Sequence, residues 1–338
     1  MSRLANADCE CGYSVNKTTD ATYQVYTDLM ENDFLHTSGD NATEFGWQPQ
    51  QYNVSANDAR GPYGKDFDLA NVKLNPLKDS DTWSGASQDG GDAGLQLWVR
   101  GDHSPGLVGS AEVATVREDA LYGSFRFYNN SQEIDMEFLS RQFNGSQGTV
   151  QLVLQSSQSV INGYDASGTS GYQIEHLPFR PDERFHEYRF DWSPDRVIFY
   201  VDGQIMHEMT QGIPTSSGHM FMNHWSNGDP KWSAGPPAED TAMTVSYVKA
   251  YFNSTDASRH KSHNKQCPTF DASKVCQIPE QTIAPDGNNA KTYFFSQDGG
   301  HRTPGQTVYH TTNSATTLIA VHAIYVSILV SFLSWAIL

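Results

Sequence analysis

Glu133, Asp135 and Glu137 occupy alternate positions of the run Glu133-Ile134-Asp135-Met136-Glu137-Phe138-Leu139. In an extended strand the side chains alternate between faces, so the three carboxylates share one face while Ile134, Met136 and Phe138 take the other. Carboxylates this close repel one another when all are ionised. On a water-facing strand that cost is small, and a generic acidic alternation reads as a solvated face. The alternative is nucleophile and acid chemistry at an acetal carbon. A glycosidase that retains configuration needs two carboxyl groups about 5–5.5 Å apart, one to attack and one to protonate. Strand positions four residues apart are separated by about 13 Å at the backbone, and two glutamate side chains leaning inward on a bent sheet close much of that gap. Asp135 between them can hold a proton and shift both neighbours.

A strand with three acids on one side needs a sheet with an apolar underside, and the surrounding sequence supplies one. The runs Gly94 to Val99, Gly148 to Leu154, Phe185 to Trp192 and Arg196 to Val201 alternate apolar with polar residues and are bounded by Gly, Pro, Asn or Asp. That is the pattern of half-buried strands. Asp202-Gly203, between Tyr200-Val201 and Gln204-Ile205-Met206, is a two-residue hairpin turn. A short helix is predicted for Tyr23 to Leu29, and no amphipathic helix of ordinary length stands out. Parallel strands need long crossovers, usually helical. Without them the chain is predicted to be all-β, a large antiparallel sandwich.

The composition agrees with a turn-rich β-protein: 338 residues include 27 Gly and 15 Pro, with 12% aromatic and only 18% charged. Lys plus Arg number 22 against 39 Asp plus Glu, a formal charge of −17. With no basic stripe for phosphates, nucleic acid is excluded as a partner. Cys9, Cys11, Cys267 and Cys276 show no zinc spacing, and His176, His207 and His224 form none with one another, so no metal site is expected. Cys9 and Cys11 are too close to pair comfortably, which favours the two connectivities in which each bonds to Cys267 or Cys276 and pins the chain ends together.

Glycosylation sequons stand at Asn16, Asn41, Asn53, Asn129, Asn144 and Asn253, and together they indicate a secretory route. Residues 1–8 read as the remnant of a signal peptide, because Leu4-Ala5-Asn6-Ala7-Asp8 has the small-x-small form of a cleavage site. Residues 318–338 are 21 nearly uninterrupted apolar positions. They read as a GPI-attachment signal whose tail is removed, with a retained tail anchor as the alternative. Gly305 or Asn313-Ser314-Ala315 would carry the anchor. Residues 254–317, polar and rich in Ser, Thr and Asn, are predicted to form a stalk above the membrane. The folded unit is then 9–253, a monomer, secreted and held at the outer plasma membrane or cell wall.

The run from Glu133 to Leu139 closely resembles the signature of the family 16 glycoside hydrolases, a group of β-glucanases and transglycosylases with a concanavalin A-like β-jelly roll. Phe185 to Trp192, Ile198 to Gly203, Ile213-Pro214 and Met222 to Ser226 resemble the family's later strands in order, so the likeness covers roughly residues 85–253. With the apolar C-terminal run, the chain is most similar to fungal-type GPI-anchored members. The resemblance implies a sandwich of two antiparallel sheets with the acidic strand on the concave one. It also implies Glu133 as nucleophile, Asp135 as helper and Glu137 as acid/base, acting on a β-glucan or related polysaccharide without a cofactor. Some members carry a structural calcium on the convex face. The uninterrupted acidic alternation is closer to lichenase and cell-wall transglycosylase members than to those with a bulged motif.

Aromatic faces cover the apolar faces of pyranoses, which makes Trp98, Trp225 and Trp232 candidate sugar contacts. Core packing is an equal reading for Trp98 and the favoured one for Trp192. Asn223 and Asn144 could hydrogen-bond sugar hydroxyls, although a glycan on Asn144 would compete. Three functions follow: a retaining endo-β-glycosidase, a cell-wall glucan or chitin transglycosylase, and a lectin-like module that binds without turnover. Pure binding gains nothing from crowded negative charge, so the carboxylates disfavour the lectin.

Overall fold

Short alternating runs bounded by turn residues fold here into strands laid side by side. The computed structural model describes residues 9–20, 23–37, 42–123, 133–156, 159, 161–163, 165–279, 293–297 and 303–307. Contacts divide the chain into Met1–Thr307 and Val308–Leu338, and every described residue lies in the first unit. The fold is an all-β jelly-roll sandwich of mainly antiparallel sheets. One sheet of six strands runs in the order Gln204–Met209, Val197–Val201, Tyr188–Trp192, Ala120–Gly123, Tyr247–Ser254, Asp28–Asp33. A second joins Phe221–His224, Leu107–Thr115, Gly64–Phe67 and Tyr52–Val54, with Trp47–Pro49 also on Leu107–Thr115. Glu133–Glu137, Gly148–Gln155 and Tyr172–Leu177 form the three-stranded sheet that carries the acidic run.

The predicted strands appear at Gly94–Val99, Gly148–Gln155, Tyr188–Trp192 and Val197–Val201. Asp202 and Gly203 turn the hairpin with φ of 48° and 73°, the left-handed pair such a turn requires. The core follows the alternation: Val197, Phe199 and Val201 are buried while Ile198 and Tyr200 are half-buried. Burying a large apolar side chain stabilises by about 1.5–3 kcal/mol, so each strand is held in register by its inner face.

Hydrogen bonding among the described residues divides the strands of the sandwich into five sheets. Two pairings are parallel, Gly64–Phe67 with Leu107–Thr115 and Gly12–Ser14 with Val275–Gln277. One expectation is corrected. Tyr23 to Leu29 is not helical: Asp28–Asp33 is a strand, its partner Tyr247–Ser254 supplying the hydrogen bonds a short helix would have made internally.

The stalk predicted from residue 254 is also corrected. Ala257–Gln266 is a helix capped by Asp256, and both ends of the chain are stapled by Cys9–Cys276 and Cys11–Cys267. Gly305 accepts a hydrogen bond from the Leu29 amide at 3.3 Å, and Tyr13 donates its hydroxyl to the Pro304 carbonyl at 2.7 Å. A Cβ on Gly305 would lie 2.1 Å from the Thr27 carbonyl oxygen, so close packing accounts for this glycine. Asp28, 2% exposed, accepts from Arg117 at 3.0 Å and from Arg259 of the helix. Polar composition concealed this segment because the apolar residues it buries, Ile278, Tyr293 and Phe294, are few and scattered among polar ones. Residues 318–338 lie outside the described residues; within those, no helix is long and apolar enough to cross a membrane.

Arg117 grips Asp119 with two hydrogen bonds, of 2.8 and 2.6 Å, and Ser254 donates its hydroxyl to the same carboxylate. Burial alone would raise Asp119, and these donors overcome it, taking the carboxyl down to about 2. An unfolded aspartate titrates near ~3.9. The contribution is therefore complete above about pH 4 and is lost as pH falls toward about 2. Asp119→Asn should cost about 1–2 kcal/mol at neutral pH and flatten this part of the acid-unfolding profile. Urea unfolding of both proteins at pH 7 and pH 3 checks it, and identical neutral-pH stabilities would contradict it.

Candidate active site

The acidic strand pairs antiparallel with Gly148–Gln155, setting Glu133 opposite Gln155, Asp135 opposite Val153 and Glu137 opposite Gln151. On the reverse face Ile134 and Met136 oppose Leu154 and Leu152, and Ile134, Leu152 and Leu154 are fully buried. The three carboxylates thus share the face away from this core. Glu133 and Glu137 are half-buried, while Asp135 is only 3% exposed. The outer two are thus more accessible than the acid between them.

Beside Glu137, on the neighbouring strands, lies a network of neutral groups. Gln151, fully buried, donates to Gln142 Oε1 at 2.8 Å, and Tyr172 donates its hydroxyl to Gln151 Oε1 at 2.6 Å. Thr149 also donates to Gln142, at 2.5 Å. These bonds hold the amide of Gln151 opposite Glu137. Burial, followed by the negative charges of Glu137 and Asp165, raises the Tyr172 phenol, with Arg141 opposing.

A second group stands on Gly64–Phe67 and Leu107–Thr115. Asn223 opposes Glu112 across strands and donates its amide to Glu112 Oε2 at 3.3 Å; Tyr52 donates its hydroxyl to Oε1 at 3.1 Å. The Lys65 ammonium sits 3.2 Å from the centre of the Trp225 ring. Burial first, then the Arg60 charge, pushes Lys65 down to about 8 against the opposing pull of Glu112 and Glu137. One face of Trp225 is therefore covered by an ammonium, a cation–π contact rather than an open sugar platform.

Trp232 lies half-buried in the loop after Trp225. Asn227, 3% exposed, organises that loop by donating to the Ala59 carbonyl at 2.6 Å and accepting from Ser233 at 2.7 Å. Arg141, just past the acidic strand, donates to the Trp232 carbonyl at 2.6 Å and to that of Lys231. Trp232 is thus tied to the chain that carries Glu137. Trp98 is not: its polar and ring contacts are with Gln96 and Arg100. Trp192 is fully buried and donates to the Pro214 carbonyl.

Among the sequons, Asn53 and Asn144 are exposed and Asn16 is half-buried. Asn253 is half-buried in a strand, with its side-chain oxygen accepting from the Thr27 amide. Asn41 and Asn129 lie outside the described residues. His224 bonds the Leu97 carbonyl at 2.9 Å, and burial holds its ring below the usual histidine range. His207 lies 3.3 Å from Glu175. Among the described residues there is no group of three or more His, Cys, Asp and Glu able to hold a metal ion.

Lys65, Glu112, Gln151 and Tyr172 were missed in the sequence. Glu112 carried a signal, as the one acid within the otherwise uncharged run Leu107 to Thr115. Lys65 carried none, because only the parallel pairing with Leu107–Thr115 turns it inward.

Residues 96–249 match the family model "Glycosyl hydrolases family 16". A β-glucanase of Bacillus subtilis (strain 168) is 34% identical over 101 residues, 30% of this chain and 36% of that protein. A β-glucanase of Acetivibrio thermocellus is 31% identical over 127 residues, 37% of this chain and 34% of that protein. The chain spans about a third of the length of these curated relatives. Among solved structures, the Bacillus licheniformis β-glucanase aligns with a TM-score of 0.48 and 20% identity, over 66% of this chain and 98% of that one.

If Glu137 is the proton donor, Glu137→Ala should lose about 10²–10⁴-fold on natural glucans and far less on aryl glycosides whose phenolate leaves unaided. Azide, which needs no general base, should then release a β-glycosyl azide through a second inversion, read by NMR. An α-azide would show that Glu137 is the nucleophile or that the reaction inverts.

Proposed function

We propose that the protein is a retaining endo-β-glycosidase acting on cell-wall or related β-glucans through a glycosyl-enzyme intermediate. The observation that carries this reading is the strand on which Glu133 and Glu137 stand half-buried on one face, with Asp135 buried between them and the apolar core behind. In the first step a Glu133 carboxylate oxygen attacks the anomeric carbon while Glu137 gives its proton to the departing glycosidic oxygen. The C–O bond to the leaving sugar breaks as the ester bond to Glu133 forms, with inversion. In the second step Glu137, now a carboxylate, takes a proton from water, whose oxygen displaces Glu133 with a second inversion. Asp135, between them on the same strand face, is placed to disfavour simultaneous ionisation of all three acids by like-charge repulsion. Carboxylates and water suffice for this chemistry, so no cofactor is required.

The protein acts outside the cell on this reading, which the two disulfides and the exposed sequon residues Asn53 and Asn144 support. The apolar run 318–338 then serves as a GPI-attachment signal that holds the domain, as a monomer, beside its polysaccharide.

Incubation with β-1,3-, β-1,4- and mixed-linkage glucans and chitin, with and without a labelled oligosaccharide acceptor, tests the assignment. Hydrolysis gives new reducing ends and unlabelled long products. Label in long products would make the enzyme a transglycosylase, with the sugar acceptor taking the place of water. Binding without cleavage of any glycan would overturn the assignment in favour of a lectin-like module.

A further inference from the structure

Two places near the C-terminal apolar run have the small residues that an anchor-attachment site needs, Gly305 and the triad Asn313-Ser314-Ala315. Gly305 has the better spacing to residue 318, but the fold holds it. Its carbonyl accepts hydrogen bonds from the Leu29 amide at 3.3 Å and from the Arg259 guanidinium at 2.7 Å. Its φ is 74°, and it packs on Thr27 and Asp28 so closely that a Cβ would find no room. The residues on either side are held as well. Thr303 donates its hydroxyl to the Phe295 carbonyl at 2.9 Å, and the Pro304 carbonyl accepts from the Tyr13 hydroxyl at 2.7 Å. Gln306 forms a parallel bridge to Leu29, and the Thr307 hydroxyl accepts from Arg117, a buried side chain, at 3.0 Å. The compact unit ends at this point, with Thr307. Attachment at Gly305 would remove Gln306 and Thr307 and put the anchor's glycan on the carbonyl that Leu29 and Arg259 occupy. The triad has no such conflict. Counted to residue 318 it lies too near the apolar run, but His322 interrupts that run. Residues 314–322, with Thr316, Thr317 and His322, then form the spacer and 323–338 the tail, within the usual lengths of about 8–12 and 10–20 residues.

We propose that the anchor is attached to Asn313, so that the mature protein keeps the docked segment 303–307 and loses residues 314–338. This rests on the GPI reading above and adds to it the residue that is modified. The transfer breaks the peptide bond between Asn313 and Ser314. The amine nitrogen of the anchor glycolipid forms an amide with the Asn313 carbonyl carbon, and the proton it gives up goes to the departing amino group of Ser314. Residues 308–313 are then all the chain between the domain and the anchor, at most about 20 Å even when fully extended. The domain is therefore kept on a short leash at the lipid surface, not raised on the long stalk that the composition suggested.

The test expresses the full chain behind a cleavable secretion signal in cells that attach such anchors, releases it with a phosphatidylinositol-specific phospholipase and digests it with trypsin. Cleavage after Arg302 should give the peptide 303–313 with the glycan remnant on the Asn313 α-carboxyl group, read by mass spectrometry. A remnant on Gly305, or on any residue other than Asn313, would overturn the assignment. Asn313→Gln, Ser314→Gln and Ala315→Gln combined, all beyond the docked segment, should abolish release by the phospholipase. Unchanged release from this variant would refute the triad. Protein freed by detergent alone, with residues 318–338 retained in its intact mass, would overturn the GPI reading together with Asn313. Phospholipase release with the remnant elsewhere removes Asn313 alone.

Discussion

Three carboxylates are fixed on one face of a strand because its other face cannot be turned out. A slip of one residue would bring Ile134 into water and drive Glu133, Asp135 and Glu137 into contact with Leu152 and Leu154. The apolar underside therefore holds together groups that would otherwise separate under their own repulsion. Everything around the site responds to that confinement. Gln151, opposite Glu137 on the neighbouring strand, presents a neutral amide hydrogen-bonded to Gln142 and Tyr172. Electrostatic crowding of this kind gives adjacent acids different affinities for protons, which is what a proton donor beside a nucleophile requires.

The same economy of charge holds the C-terminal segment. Arg117 and Arg259 converge on buried Asp28, and Arg259 also donates to the Gly305 carbonyl. Glu31, on the Asp28–Asp33 strand, accepts from Ser296 and from the Tyr251 hydroxyl. An edge strand that would otherwise expose its backbone is thus covered by a segment that also buries Tyr293 and Phe294. The disulfides close loops with sequence separations of 267 and 256 residues, which limits how far the unfolded chain can expand.

Much of the site was legible because alternation is a local property. Glu133, Asp135 and Glu137 lie on one strand, so their common face follows from the sequence, as does the Asp202-Gly203 turn. What the sequence concealed depends on partners distant along the chain. Lys65 becomes an inward cation only through its parallel neighbour Val108. Trp225 looked like an open platform because nothing local indicated an ammonium above it. Residues 257 to 279 looked like a stalk because their attachments, two disulfides, the pairing of Val275–Gln277 with Gly12–Ser14 and the buried Ile278, depend on partners far away in the chain. The run Tyr23 to Leu29 looked helical until Tyr247–Ser254 supplied a strand beside it.

The central claim is that Glu133 forms the bond to the sugar. A 2-deoxy-2-fluoro-β-glycoside with a good leaving group slows the second displacement more than the first and lets the intermediate accumulate. Peptic digestion and mass spectrometry then locate the sugar. The account predicts one fluoroglycosyl group per molecule, attached to the Glu133 carboxylate. Attachment at Glu137 or Asp135, or active enzyme that forms no adduct and yields an inverted product by NMR, would contradict it.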